Sequence, residues 1–228
     1  MYQLGGYKET DRMCDLICDN YPMLLVMSRF GIALGFGDQT IGEVCKNSHV
    51  DIKTFLAVVN FLIDEDEKEV SDTSLSVTSL IAYLKNSHVY FLNFKLPAIR
   101  EKLLQAIDGE HHDVAEVVIR YFDEYAGEVR RHMNYEDEIV FPYVAKLLND
   151  EKQAYSIDTF SKQHDDVESR LSELKNIIIK YYPGTSSHEL NNVLFDIFSC
   201  ASDLAYHNAV EDSIFVPVIK ALEQQKAS

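Results

Sequence analysis

No stretch of this 228-residue sequence approaches the about 18 uninterrupted apolar residues of a membrane-spanning helix. Its first residues, MYQLGGYKETDRMCD, lack the basic segment and apolar run of a secretory signal, so a soluble, cytoplasmic protein is expected. Basic charge is also short. Against 37 acidic side chains stand 21 basic ones with no Lys/Arg cluster, and a net charge of −16 repels phosphate backbones and anionic lipid headgroups. Nucleic acid and membrane partners are therefore excluded. Cysteine is sparse and unpaired in pattern: Cys14, Cys18, Cys45 and Cys200 form no Cys-x-x-Cys pair, and a chain this long needs no disulfides, so they read as reduced thiols. Cys14 and Cys18 would share a helix face, which suits either small buried residues or a weak metal or redox site. Glycine and proline, 9 and 5 in the whole chain, occupy only a few places after residue 77.

What is present is helical periodicity. From about Val77 onward apolar residues recur at three and four positions, and Gly, Pro, Asn, Asp and Ser collect at AIDGEHHD (106 to 113), LLNDEKQ (147 to 153) and YYPGTSSHE (181 to 189). Four long helices joined by short connections give an all-α, up-down-up-down four-helix bundle over 77–228. Residues 1–76 have a different character, with glycines grouped in FGIALGFGDQTIGEVC between YPMLLVM and FLAVVNFLI, and predict a small helical domain. The acidic run IDEDEKEVSDTS (63 to 74) is its linker to the bundle.

The bundle contains a repeat. RHMNYEDEIVFP and YHNAVEDSIFVP stand 75 positions apart and share His, Glu, Asp, Ile and Pro in register; His88 and His164 recur at nearly the same interval. Each half is one helical hairpin, so the hairpin is used twice. Two residues on antiparallel helices lie at one height when the midpoint of their numbers falls in the connecting turn, because both helices rise about 1.5 Å per residue. The midpoint of His88 and His132 is 110, inside DGEHH; that of His164 and His207 falls between 185 and 186, inside PGTSS; that of Glu136 and His164 is 150, inside NDEK. All four helices thus bring candidate ligands to one level. His111, His112 and His188 sit at helix starts, about 30 Å along the axis from His132 or His207, and fall outside the layer. His49 lies in the first domain without a partner in the pattern.

His132 with Glu136 and His207 with Glu211, each spaced i and i+4, point an imidazole and a carboxylate from one helix face. Burying two carboxylates and four imidazoles without compensation costs several kcal/mol per ion, which bound cations remove. Four nitrogens and two carboxylates exceed the needs of one structural zinc and suit two octahedral ions bridged by both glutamates, with iron first and manganese second. About one position per ion then stays open for O2, NO or peroxide. Asp137, Asp165, Asp212 and Glu168 are placed to orient the histidines from outside. Pro142 and Pro217, ten residues after His132 and His207, are expected to kink long helices.

NSHVYF, RRHMNYEDEIVFP, KQHDDVE and YHNAVEDSIFVP resemble the hemerythrin-like (HHE cation-binding) family over about 80 to 222, and within it the di-iron proteins that repair iron–sulfur clusters after nitrosative or oxidative stress. The resemblance implies an oxo-bridged di-iron centre held by His88, His132, Glu136, His164, His207 and Glu211. Oxygen-carrying hemerythrins have a further histidine in the third helix, where this chain has Glu168. NYPMLLVMSRFGIALGFGDQTIGEVC resembles the short amino-terminal domain of two-domain repair proteins but reads LGFGD where that domain carries adjacent cysteines followed by glycine. The implied function is a stress response at a non-haem di-iron site, chiefly cluster repair, with apo iron–sulfur proteins as partners. The alternative is an O2 or NO sensor or carrier that signals through the first domain. Monomer and homodimer both stay open.

Overall fold

A computed structural model of the chain describes residues 6–64, 69–107, 112–151, 155–161, 167–182 and 188–227. The fold is an all-α helical bundle, with no β-strand among the described residues. The helices are α1 (Met13–Asp19), α2 (Met23–Arg29), α3 (Ile41–Asn47), α4 (Ile52–Ile63), α5 (Val77–Tyr90), α6 (Leu96–Ala106), α7 (His112–Tyr135), α8 (Phe141–Leu148), α9 (Ile157–Ser161), α10 (Val167–Tyr181), α11 (His188–Val210) and α12 (Val216–Ala227). By packing, the chain forms two compact units, one of residues 1–87, 143–162 and 206–228 and one of 88–142 and 163–205. No helix among the described residues is long and apolar enough to cross a membrane.

In the first unit, local side-chain chemistry sets the helix starts. Thr40 and Glu43 form a capping box at α3: the Glu43 N–H donates to Thr40 Oγ1 at 3.2 Å and the Thr40 N–H to Glu43 Oε2 at 2.8 Å. Asp51 caps α4 by accepting from the Thr54 N–H at 2.8 Å. Gly35 and Gly37 carry φ of 97° and 62°, and a Cβ at either would meet nothing within 4 Å, so backbone conformation rather than crowding requires glycine there. The amide of Asn60 clasps the chain at Tyr7, accepting from its N–H at 2.6 Å and donating to its carbonyl at 3.0 Å. Further along this unit, Glu223 on α12 accepts from the Ile157 N–H at 2.9 Å and from Ser156 Oγ at 3.2 Å, and also receives the Tyr143 hydroxyl, which fixes the start of α9.

In the second unit α6, α7, α10 and α11 surround one apolar core. Val118, Phe122, Tyr125, Val129 and Met133 recur along α7 at the helical period and meet Leu171, Leu174 and Ile178 of α10 and Leu190, Val193, Ile197 and Leu204 of α11. Ion pairs hold the rim: Arg100 with Asp123 at 2.6 Å, and Lys95 and Lys102 together on Asp196 at 2.8 and 2.6 Å.

Three helices do not end where prolines interrupt the pattern. Each passes through a five-residue π-helical turn, at Phe91–Lys95, Glu136–Val140 and Glu211–Phe215, and continues as α6, α8 and α12. Pro97, Pro142 and Pro217 each stand six residues after the first residue of such a turn. A proline lacks an N–H, and its ring collides with the carbonyl four residues earlier. The preceding N–H reaches back five residues instead of four, from Leu96 to Phe91 O, Phe141 to Glu136 O and Val216 to Glu211 O. At Pro142 and Pro217, where kinks are expected, the structure has widened turns within continuing helices.

Cys45 and Cys200 are buried, Cys14 is half-buried and Cys18 exposed, all as free thiols. Burial, with Asp51 nearby, pushes the Cys45 thiol up to about 12. Iodoacetamide treatment of the native protein, followed by peptide mass spectrometry, should modify Cys18 first and leave Cys45 and Cys200 unmodified until denaturant is added. Phe122→Ala should lower unfolding stability by about 3–5 kcal/mol in a urea titration, since Phe122 is fully enclosed in the second unit's core.

Candidate metal centre

The π turns carry the acidic ligands. Glu136 is the first residue of its turn and the last turn of α7 supplies His132; Glu211 opens the next such turn after His207 on α11. In both cases the four-residue spacing stacks imidazole over carboxylate on one helix face.

In the second unit Glu136 lies between two imidazoles. His132 Nε2 stands 2.8 Å from Glu136 Oε1 and His88 Nε2 stands 2.9 Å from Glu136 Oε2. Glu136 is fully buried, His88 is 1% exposed, and the His132 side chain keeps 16% of its surface. Asp137, on the same turn, places Oδ1 3.2 Å from the other ring nitrogen of His88, and the Phe141 ring lies nearly parallel to the imidazole at 5.7 Å. The His88 ring thus faces a carboxylate oxygen at each nitrogen and an aromatic ring on one face. In the first unit His207 Nε2 lies 3.2 Å from Glu211 Oε1, and both residues are buried.

In the second unit His88 and Glu136, and in the first His207 and Glu211, are buried residues of the kind that can hold a metal ion. Imidazole and carboxylate form a hard-to-borderline N/O donor set, suited to iron, manganese or zinc and ill suited to a soft thiophilic ion. An octahedral ion with bonds of about 2.1 Å sets neighbouring ligand atoms about 3 Å apart, and the N···O separations of 2.8, 2.9 and 3.2 Å match that spacing. Buried carboxylates facing imidazole nitrogens therefore fit a cation.

Of the six residues expected from the sequence, the structure brings His88, His132 and Glu136 together in one unit and pairs His207 with Glu211 in the other. His164 lies outside the described residues, as do Asp165, His111 and the side chains of His112 and Glu168. His188 is exposed at the first residue of α11 and His49 is exposed at a φ of 56°. Asp212 is exposed, whereas Asp137 engages His88 as the outer carboxylate. Sequence reasoning did not find the stacking of Phe141 on His88, nor the π turns. The available signal for the turns was the proline six residues after Phe91, Glu136 and Glu211.

Residues 79–219 match the Hemerythrin HHE cation binding domain, well over half of the chain. The chain belongs to this family, whose name states that its domain binds cations. Among individual proteins it is similar to the iron–sulfur cluster repair protein ScdA of Staphylococcus haemolyticus (strain JCSC1435), at 25% identity over 152 residues, or 64% of this chain and 68% of the relative.

A carboxylate that holds the far nitrogen of a ligand histidine fixes its ring and raises its basicity. Asp137→Ala should therefore weaken Mn(II) affinity about 10–100-fold, with the far-ultraviolet dichroism unchanged, while Glu138→Ala at the exposed neighbour stays within about twofold of wild type. Equal effects of the two substitutions in a competition titration would remove the orienting role of Asp137.

Proposed function

We propose that the chain is a non-haem di-iron protein of the nitrosative and oxidative stress response that works in the cytoplasm and repairs iron–sulfur clusters. His88, His132, Glu136, His164, His207 and Glu211 would hold two iron ions, with manganese the second choice. The observation that carries this reading is the burial of Glu136 and Glu211, each within 3.2 Å of an imidazole nitrogen. The level arithmetic of the four histidines and the similarity to a cluster repair protein support it.

When bound, the two irons would supply a redox centre for O2, NO or peroxide and a source of iron for an apo iron–sulfur protein. This chain's own residues have separate tasks. Glu136 presents one oxygen to each of His88 and His132, so a single carboxylate can serve two neighbouring ligand sets. Asp137 Oδ1, which faces Nδ1, and the Phe141 ring would orient the His88 ring so that Nε2 points to Glu136. Val129 and Met133 of α7, Val140 of its π turn and Phe141 of α8 are buried, and Glu136 among them is closed off from water. His132, the least buried of the described candidate ligands, marks the side from which a small molecule would approach.

A second reading, an O2 or NO sensor or carrier, is favoured by one observation: Cys14 and Cys18 are four residues apart along α1 rather than adjacent, so the first domain lacks the thiol pair of the repair proteins it resembles. Iron release separates the two readings. Anaerobically purified protein should contain about two irons per chain by elemental analysis, and His132→Ala and His207→Ala should each lose iron and the near-ultraviolet absorption that develops in air. On reduction, the repair reading requires transfer of iron to an apo iron–sulfur acceptor; reversible NO or O2 binding with all iron retained would favour the sensor. Absence of iron and manganese after reconstitution would overturn both.

A further inference from the structure

Pro217 leaves one backbone group without its helical donor. The Ser213 carbonyl lies four residues earlier, where the N–H of an ordinary residue 217 would close the α-helical bond, and proline has none to give. That carbonyl is used: the Val70 N–H donates to it at 2.7 Å. Ser213 belongs to the π turn that Glu211 opens, so Glu211 and the acceptor are two residues apart on one turn.

Residues 69–76 run from this anchor into α5 and on the way bond to α4 and α12. Gln225 of α12 donates to Thr73 Oγ1 at 3.2 Å, Asp72 pairs with Lys53 of α4 at 2.7 Å, and the Ser76 N–H donates to the buried Thr54 hydroxyl of α4 at 2.8 Å. Leu75 is buried, so the segment is fastened by apolar contact as well as by polar ones. The amino-terminal helices and the candidate metal-bearing helix are thereby joined through one short segment within a single compact unit.

We propose that residues 69–76 are a strap that couples cation occupancy at His207 and Glu211 to the order of α4, with Pro217 and the Val70 amide as its positioning groups. This inference rests on the metal reading of the preceding subsection and adds a regulatory connection to it. A cation that draws Glu211 into place steadies the π turn and with it the Ser213 carbonyl; the strap stays docked and α4 keeps its partners at Lys53 and Thr54. The coupling is reciprocal, because anything that docks the strap more firmly raises cation affinity by the same factor. A partner that grips the amino-terminal helices would in this way read, or loosen, the metal.

The test is hydrogen exchange by mass spectrometry on the full chain, metal-free and loaded with Mn(II), alongside Mn(II) affinity. In wild type, loading should slow exchange over 69–76 and α4 by about tenfold. Val70→Pro removes the donor and should weaken Mn(II) binding by about fivefold or more with helicity retained. Pro217→Ala restores an N–H that competes for the Ser213 carbonyl, so exchange over 69–76 should become fast and insensitive to Mn(II). Tight Mn(II) binding without any change over 69–76, or an unchanged affinity in Val70→Pro, would overturn the strap and leave the metal reading standing. Failure of Mn(II) and iron to bind at all would overturn the metal reading and the coupling with it, an outcome that the affinity measurement alone identifies.

Discussion

The buried contact between Glu136 and its two histidines is the constraint on which the second unit depends. A carboxylate removed from water loses several kcal/mol of solvation, and hydrophobic packing returns none of it. A bound cation does, and the imidazole nitrogens at 2.8 and 2.9 Å from the carboxylate are placed to share it. The apolar residues around α7 make the contact stronger by lowering the local dielectric, and they make its loss more costly for the same reason. The same logic applies in the other unit, where His207 and Glu211 are both buried with 3.2 Å between them.

The carboxylates are delivered by an irregularity of the helix. In each of the two repeated segments a π turn begins at the glutamate and is followed by a proline. Such a turn costs some hydrogen-bond quality, and it persists because the proline excludes the tighter α-helical alternative. Phe91 to Pro97 repeats the arrangement downstream of His88, which places a widened turn beside three of the candidate ligand positions. The missing N–H of each proline thus opens the way to the widened turn, and packing selects it. The carbonyls left over by the prolines are a further resource, and at Ser213 the chain uses one to hold another segment.

The amino-terminal helices have another basis. Their order comes from caps, from glycines with positive φ and from the Asn60 clasp on Tyr7, all local devices, around a small core that includes Met13, Leu16, Phe55 and Val58. The cysteines of α1 are separated by a helical turn and lie within an acidic stretch. Thiol chemistry of an adjacent pair therefore has no counterpart in α1.

Much of the protein was legible in its sequence. The period of apolar residues from Val77 onward announced helices, because a 3.6-residue repeat has one economical way to bury its stripe, and α6, α7, α10 and α11 follow it. His132 with Glu136, and His207 with Glu211, were visible because i and i+4 meet on any helix. Other features depend on distance in space between residues remote in sequence. No local pattern reveals that Phe141 stacks on His88, that Asp137 rather than Asp212 finds a histidine, or that the Val70 amide meets the Ser213 carbonyl. The prolines lie between these cases. Sequence alone required that the α-helical bond be broken at Pro142 and Pro217, since the N–H is absent, but whether a helix answers by bending or by widening depends on the packing on both sides, and only the tertiary structure decided for the π turn.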